Sequence, residues 1–532
     1  GNFLIINEIK MSNFTRYLSK NWLDDPKSNI LSGLVVAFAM IPEAIAFSGI
    51  AGVDPKVGLY GAFCLSITIA ILGGRKGMIT SATGSTALLM TGVVAFGEAQ
   101  SPGTNLGLSY LIAAGLLTGV FQILWGYLRL AYQMRFVPTG VLSGFVNALA
   151  LLIFQAQFLQ LGIGLNGEKL LDDELSKYPT ISQIPTVWIL VFLGLIIIYG
   201  FPKITKIIPS QLVAIILLTL VSVFFKLEIP TVSDLGTLPN GFPSFSIPFG
   251  ALENGKVPFN LSTLGVILPT SLAISLVGLM ETFLTQDILD DATDTSSNKN
   301  KEARGQGIAN IISSLFGGMA GCALVGQSVM NNENGGKSRL STLISGLSLL
   351  LMIILLKPWI GAIPMAALVA IMITIAISTA DLNGLKNIKK IPKSDTAVML
   401  MTFSVTMLTK PHNLALGVIA GVGLAAILFS RKVAKVITVS KVKGKNKITY
   451  KVEGQLFFVS KIYFLQGFDI HEHPKDILID MSLAHIWDQS GVVALDQIIR
   501  KFKNSGSNVE IIGLNKESLN LFERLGGLET SH

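Results

Sequence analysis

Glu281 is the residue of this chain whose type and setting first suggest chemistry. It stands near the far end of LGVILPTSLAISLVGLMETFLTQD, Leu264–Asp287, and no charged residue occurs between Lys256 and Glu281. A run of that length crosses a bilayer core as a helix. Thr285 follows Glu281 by one turn on the same helical face. A carboxylate in a membrane helix is costly, so it faces a cavity, a partner or water. On this stretch alone two readings stand: a functional acid inside the membrane, or a marker of the headgroup boundary. Glu43 is a second candidate. About fifteen residues separate it from Lys27 and about ten from Asp54, which at about 1.5 Å per residue places it well inside a bilayer. Pro42 beside it predicts a local helix break. Its plainer role is a structural hydrogen bond between helices.

The chain around these acids has 532 residues, 50% of them hydrophobic and 14% charged, with a mean hydropathy of +0.60. A soluble domain carries roughly 25% charge, so the composition is that of an integral membrane protein with a smaller polar part. The 52 glycines suit close helix packing in lipid. The net charge of +8 sits in short loops, which excludes a nucleic-acid footprint. The two cysteines, Cys64 and Cys322, lie in apolar surroundings and imply neither a disulfide framework nor a zinc site. His471, His473 and His485 form no ligand spacing. NGGKS at 334–338 lacks the spacing and strand context of a phosphate loop, which argues against a nucleotide-driven pump. No nucleophile–base pair points to an enzyme. The N-terminus lacks a signal-peptide pattern, and Met11 is a candidate native start.

Apolar periodicity predicts about fourteen helices between Ile30 and Ser430. They lie near Ile30–Ile50, Val57–Leu72, Ser85–Gly97, Leu106–Trp125, Val141–Leu161, Val187–Tyr199 and Ser210–Phe225. The second set is Leu264–Thr285, Gly307–Phe316, Gln327–Asn331, Ser341–Leu356, Met365–Ser378, Thr396–Leu408 and Leu414–Phe429. Several are too short to span, which is tolerated where backbone lines a cavity. Alternating spans put Arg16, Lys20, Lys27, Arg75, Lys76, Arg129, Arg135, Lys203, Lys206, Lys386, Lys389, Lys390, Lys393, Arg431, Lys432 and Lys435 on one side. The positive-inside rule then predicts an even number of spans with both termini cytoplasmic. The acidic loop Asp287–Glu302 reads as a solvated connection.

The two halves resemble each other. Each opens with a long helix carrying an acid, Glu43 or Glu281. Each then has a small-residue stretch leading into a short helix, TSATGSTALL (Thr80–Leu89) or GGMAGCALVGQS (Gly317–Ser328). Interrupted segments at corresponding positions point to an inverted-repeat secondary transporter. The free N–H groups and positive dipole ends of two such half-helices form an anion site. Small residues that only permit close packing are the alternative. After Arg431 a basic linker, residues 432–447 with the run SKVKGKNK, leads into a polar segment, 448–532. Its alternation of strands and helices predicts a small α/β domain with a partly parallel sheet.

The stretches VVAFAMIPEAIAFSGIAGVDPKVGLYGAF and ARGQGIANIISSLFGGMAG resemble the opening signature and the ninth-helix region of the SulP family of anion transporters, relatives of prestin and pendrin. The tail, with IDMSLAHIWDQSGVVAL, resembles a STAS domain. The resemblance implies a seven-plus-seven inverted repeat over 30–431 after a cytoplasmic segment 1–29. It also implies a core domain moving against a gate domain in an elevator-like cycle, and a homodimer held partly through the STAS domain. By family position Glu281 is the pocket acid that supports cation coupling, with Thr285 as a helper hydroxyl. Thr83, Gly84, Ser85 and Thr86 open the third helix, and Cys322, Ala323, Leu324, Val325, Gly326, Gln327 and Ser328 open the tenth. Together they imply an anion cradle.

Three departures from the pattern matter. Glu43 stands where the family commonly has Gln, Gln327 stands where many members have a nearby Arg, and GCALVG replaces a serine-rich motif. Two ionised carboxylates near an anion repel it. Either one is protonated when the anion binds, or Na+ is held by Glu281, Thr285 and carbonyls near Ala323 and Val325. The sequence therefore predicts a multi-pass cell-membrane symporter of sulfate or bicarbonate, coupled to Na+ or H+, with no other cofactor. An uncoupled exchanger or channel, or a regulatory scaffold recruiting a cytoplasmic protein through the STAS domain, are the alternatives. Ser490, in DQSG, is either a phosphorylation site or part of a helix cap.

Overall fold

The computed structural model describes residues 21–129, 137–164, 177–205, 208–409, 412–444, 447–470 and 475–525. Met11, Arg16, Lys20, Arg135, Lys206, His471 and His473 lie outside them. The chain divides into two units, 1–421 and 422–532.

The fourteen helices fall into two sets of seven. The first set is α1 (Pro26–Ala51), α2 (Pro55–Leu72), α3 (Gly84–Gln100), α4 (Leu106–Tyr127), α5 (Thr139–Gln155), α6 (Ile184–Gly200) and α7 (Ser210–Phe224). The second is α8 (Leu261–Thr293), α9 (Lys299–Leu315), α10 (Val325–Glu333), α11 (Arg339–Leu355), α12 (Met365–Thr379), α13 (Lys393–Leu408) and α14 (Leu414–Ala434). A two-residue strand precedes the third helix of each set: β1 (Thr80–Ser81) before α3 and β2 (Cys322–Ala323) before α10. An odd number of helices per repeat reverses the second repeat in the membrane, so the two half-helices approach from opposite sides.

Three expectations are corrected. Pro42 causes no break, because α1 runs unbroken from Pro26 to Ala51; neighbouring helices can satisfy a carbonyl freed by proline. The helix expected over Val141–Leu161 ends at Gln155 and gives way to turns. The stretch 287–302 is a solvated connection only in part, with Asp291, Asp294, Thr295, Ser296 and Asn298 exposed. The Glu281 helix runs on to Thr293, and Asp290 pairs with Arg75 at 2.8 Å. Glu302, fully buried in the first turn of α9, accepts from the N–H groups of Gly74 and Arg75. Asp290 and Glu302 thus hold the α2–β1 loop, while Asp287 pairs with Lys299 at 2.6 Å.

Helix α4 packs against α3, α8 and α9, and α1 against α2, α10 and α11, forming a core; α5 with α13 and α6 with α7 and α12 form a gate. Glycines let the core backbones close up. A Cβ on Gly119 would lie 2.4 Å from the Gly307 carbonyl, and one on Gly307 would lie 2.5 Å from that of Gly119. Core–gate contact is apolar, through Phe47 and Met280 on one side and Phe145, Ile153 and Met372 on the other.

The second unit has a sheet ordered β3 (Thr438–Lys443), β4 (Lys447–Leu456), β5 (Asp476–Ile486), β6 (Asn508–Ile512). β3 is antiparallel to β4, and the other pairs are parallel. β3 corrects the reading of SKVKGKNK as linker. Its lysines suit an edge strand, where charge deters further pairing. Between β5 and β6 lies α15 (Gln489–Asn504), which seats Val492, Leu495, Ile498, Ile499 and Phe502 against Tyr450, Phe464 and Phe468. After β6 comes α16 (Lys516–Leu525).

Candidate functional site

The site is built where the two broken segments cross. β1 and β2 pair antiparallel, Thr80 with Ala323 and Ser81 with Cys322. Gly321 makes the approach feasible, since a Cβ there would lie 2.0 Å from the Ser81 carbonyl oxygen. Buried polar side chains on three helices fix the crossing. The Ser66 hydroxyl donates to the Thr80 carbonyl at 2.9 Å, and the Gln306 amide donates to Thr80 Oγ1 at 2.9 Å. Asn310 exchanges two hydrogen bonds with the Gly321 backbone. The Ala323 N–H donates to Thr282 Oγ1 at 3.2 Å, tying β2 to the Glu281 helix.

Glu281 lies against this crossing. Its Oε2 accepts from Ser85 Oγ at 2.7 Å and from Cys322 Sγ at 2.8 Å. One donor comes from the first turn of α3, the other from β2. The carboxylate is thus held by both broken segments, and Thr83 Oγ1 lies 3.1 Å from Ser85 Oγ and 3.2 Å from Cys322 Sγ. Glu43 is tied to the same segment further along. Its Oε1 accepts from Gln327 Nε2 at 2.5 Å, and both side chains are buried.

The two half-helix ends differ. At α3 the cap is closed: Thr83 accepts from the Thr86 N–H and donates or accepts with the Thr86 hydroxyl. The space above Gly84 is filled, because a Cβ there would meet Ile153 at 2.8 Å and Phe47 at 3.2 Å. At α10 the N-cap is Leu324, which has no capping side chain. Val325 is 37% exposed, and a Cβ on Gly326 would meet nothing within 4 Å. The uncapped N–H groups and positive dipole end of α10 therefore face open space, the arrangement that attracts an anion.

Some predicted site residues do other work. Thr285 donates to the Glu281 carbonyl at 2.8 Å. Ser328 accepts from the Ile79 N–H at 2.9 Å and joins α10 to the segment before β1. Ser490 is the second residue of α15 and caps nothing; the cap is Asp488, whose Oδ1 accepts from the Gly491 N–H at 2.9 Å. Within β5, the Asp480 carboxyl is held below the usual carboxylate range by the Ser482 hydroxyl and N–H. Ser66, Thr282, Gln306 and Asn310 were not singled out from sequence. For Ser66 and Thr282 the signal was a polar residue on an apolar helix; Gln306 and Asn310 stand on the more polar α9 one helical turn apart. For a cation, the oxygens at hand are those of the Glu281 carboxylate and the Ser85 hydroxyl, with the Thr83 hydroxyl beside them, a hard donor set of the kind Na+ prefers.

Residues 27–402 match the sulfate permease family, and residues 439–531 match the STAS domain. The chain is 43% identical over 508 residues to "Putative sulfate transporter YbaR" of Bacillus subtilis, covering 96% of this chain and 98% of that one. It is 30% identical over 434 residues to bicarbonate transporter BicA of Picosynechococcus, covering 80% and 74%. The transmembrane domain of a cyanobacterial BicA superposes with a TM-score of 0.61 at 26% identity, over 76% of this chain and 97% of that one. Murine Slc26a9 in its inward-facing state shares the fold, with a TM-score of 0.79 at 17% identity over 96% and 89% of the two chains. The chain therefore belongs to the sulfate permease family and carries a C-terminal STAS domain.

Proposed function

We propose that this protein is a secondary active transporter of a small inorganic anion, sulfate or bicarbonate, driven by co-transport of Na+ or H+. The observation that carries the reading is the Glu281 carboxylate, held by Ser85 and Cys322 from both broken segments beside the open N-terminus of α10. An anion at that terminus lies close to a carboxylate. Loading Glu281 with a proton or Na+ removes the repulsion, so cation and anion binding become linked. The names of the relatives supply the two candidate anions.

The core carries every residue of this site, and its apolar seam against the gate supports an elevator-like cycle. A homodimer in the cell membrane, with cytoplasmic termini and the STAS domain as a docking module, completes the proposal. Its test is uptake of labelled sulfate and bicarbonate by proteoliposomes under separate Na+ and pH gradients. Uptake driven by one gradient supports the reading. Uptake indifferent to both replaces it with an uncoupled exchanger.

A further inference from the structure

A second cavity lies in the gate, away from every residue of the site above. It is a groove of about 430 Å³ between α5, α12 and α13. Leu151 and Phe154 of α5, Ile377 of α12 and Phe403 of α13 give it apolar walls, and Leu385 in the α12–α13 connection also lines it. One wall residue is polar. Asn147 is 9% exposed, and its Oδ1 accepts from the Asp381 N–H at 2.9 Å. Its Nδ2 is buried on the groove wall and finds no acceptor among the described residues. A buried amide without an acceptor is costly, so the groove is incomplete as it stands.

Leu385 is followed in the chain by Lys386, Lys389, Lys390 and Lys393, all exposed. Over 381–395 these four cations face two acids, Asp381 and Asp395, leaving a formal +2. Asp381 is already engaged, accepting from the Ser143 hydroxyl at 2.6 Å and the Gly384 N–H at 2.8 Å. Lys393 opens α13, and Phe403 lies ten residues on, about 15 Å along the helix axis. The lining thus extends from the connection that carries these lysines to Phe403, well inside α13.

We propose that this groove binds an anionic phospholipid of the surrounding bilayer. One acyl chain fills the apolar walls, the phosphodiester rests among the lysines, and an ester or phosphate oxygen accepts from Asn147 Nδ2. A free inorganic anion satisfies the lysines but leaves the apolar walls empty. A neutral lipid fills the walls but leaves the charge unmatched. Juxtamembrane lysine clusters attract anionic headgroups strongly enough to sort lipids.

The test uses the full-length protein in nanodiscs containing equal phosphatidylglycerol and phosphatidylcholine, with retained lipid counted by native mass spectrometry. The expected result is retained phosphatidylglycerol on the wild type. Its preference over phosphatidylcholine falls about tenfold or more in K386Q/K389Q/K390Q/K393Q. Ile377→Trp, which fills the groove and spares the lysines, loses the retained lipid altogether. Thermal unfolding of both variants in the same discs verifies that they are folded. Equal lipid counts in wild type and folded variants overturn the proposal. So does loss of retained phosphatidylglycerol on adding inorganic phosphate, which identifies a free-anion site. Monomerisation of a dimer by Ile377→Trp also overturns it, since the occupant is then a second copy of the chain.

Discussion

Ser85 and Glu281 are 196 positions apart in sequence, yet the Ser85 hydroxyl donates to the Glu281 carboxylate at 2.7 Å. That bond joins the first broken segment to the long helix of the second repeat. Glu281→Gln keeps an oxygen that can accept from Ser85 and Cys322 but removes the charge. The variant is expected to fold and to lose its gradient-driven uptake by about tenfold or more, the scale of a lost charge-assisted interaction. Uptake that still responds to the driving gradient would sink the assignment of Glu281 as the coupling group.

Glu43 and Gln327 make the complementary case. Glu43→Gln preserves size and an acceptor oxygen for the Gln327 amide. The melting temperature is expected to stay close to wild type, within the effect of about 1 kcal/mol for one neutral hydrogen bond. The dependence of uptake on external cation concentration is expected to shift by about tenfold, since a bond to a charged group has become a bond to a neutral one. Concentration curves for wild type and variant decide it; superimposable curves would make Glu43 purely structural.

Gly321→Ala tests the crossing itself. The new methyl group would lie 2.0 Å from the Ser81 carbonyl oxygen, which is backbone and cannot swing aside. β1 and β2 must separate, at a cost of about 1–3 kcal/mol, typical of overpacking a close contact. The expected readouts are a lower melting temperature and reduced uptake together. Gly326→Ala, with open space at its Cβ, serves as the control for stability.

Glu302→Ala removes the acceptor for the N–H groups of Gly74 and Arg75 and for the Gln306 amide. Each buried donor left without a partner costs about 1–3 kcal/mol. A large loss of thermal stability is therefore expected, partly restored in Glu302→Gln, which keeps one acceptor oxygen. A wild-type melting curve for the alanine variant would show that water replaces the carboxylate there.

The sequence was most readable where one signal dominates. Apolar periodicity placed α12 to within one residue at both ends and the start of α8 to within three, because a helix in lipid must satisfy its own backbone. The partners of Glu281 were legible in part: Ser85 and the 322–328 segment stand at matching points of the two repeats. What sequence could not show was direction. Ser328 and Thr285 have the right chemistry for a pocket, but their hydroxyls are engaged by the Ile79 N–H and the Glu281 carbonyl. Glu302 looked like a solvated acid because its neighbours Asn298, Lys299 and Lys301 are polar. Its burial follows from the α2–β1 loop folding over it, a contact across 228 positions. β3 was hidden by its own lysines, which mark an edge strand as readily as a linker.

The crossing of β1 and β2 also sets a schedule for biogenesis. Thr83 and Cys322, neighbours in the finished site, are 239 positions apart. At about 5–20 residues per second, ribosomal synthesis leaves the first half of that crossing without its partner for roughly 10–50 s. During that interval the backbone groups of β1 that pair with β2 are without their partners, although Ser66 of the first repeat already donates to the Thr80 carbonyl. The nascent first half must wait in the membrane as an unfinished intermediate, and insertion machinery or lipid must shelter it until the second repeat emerges.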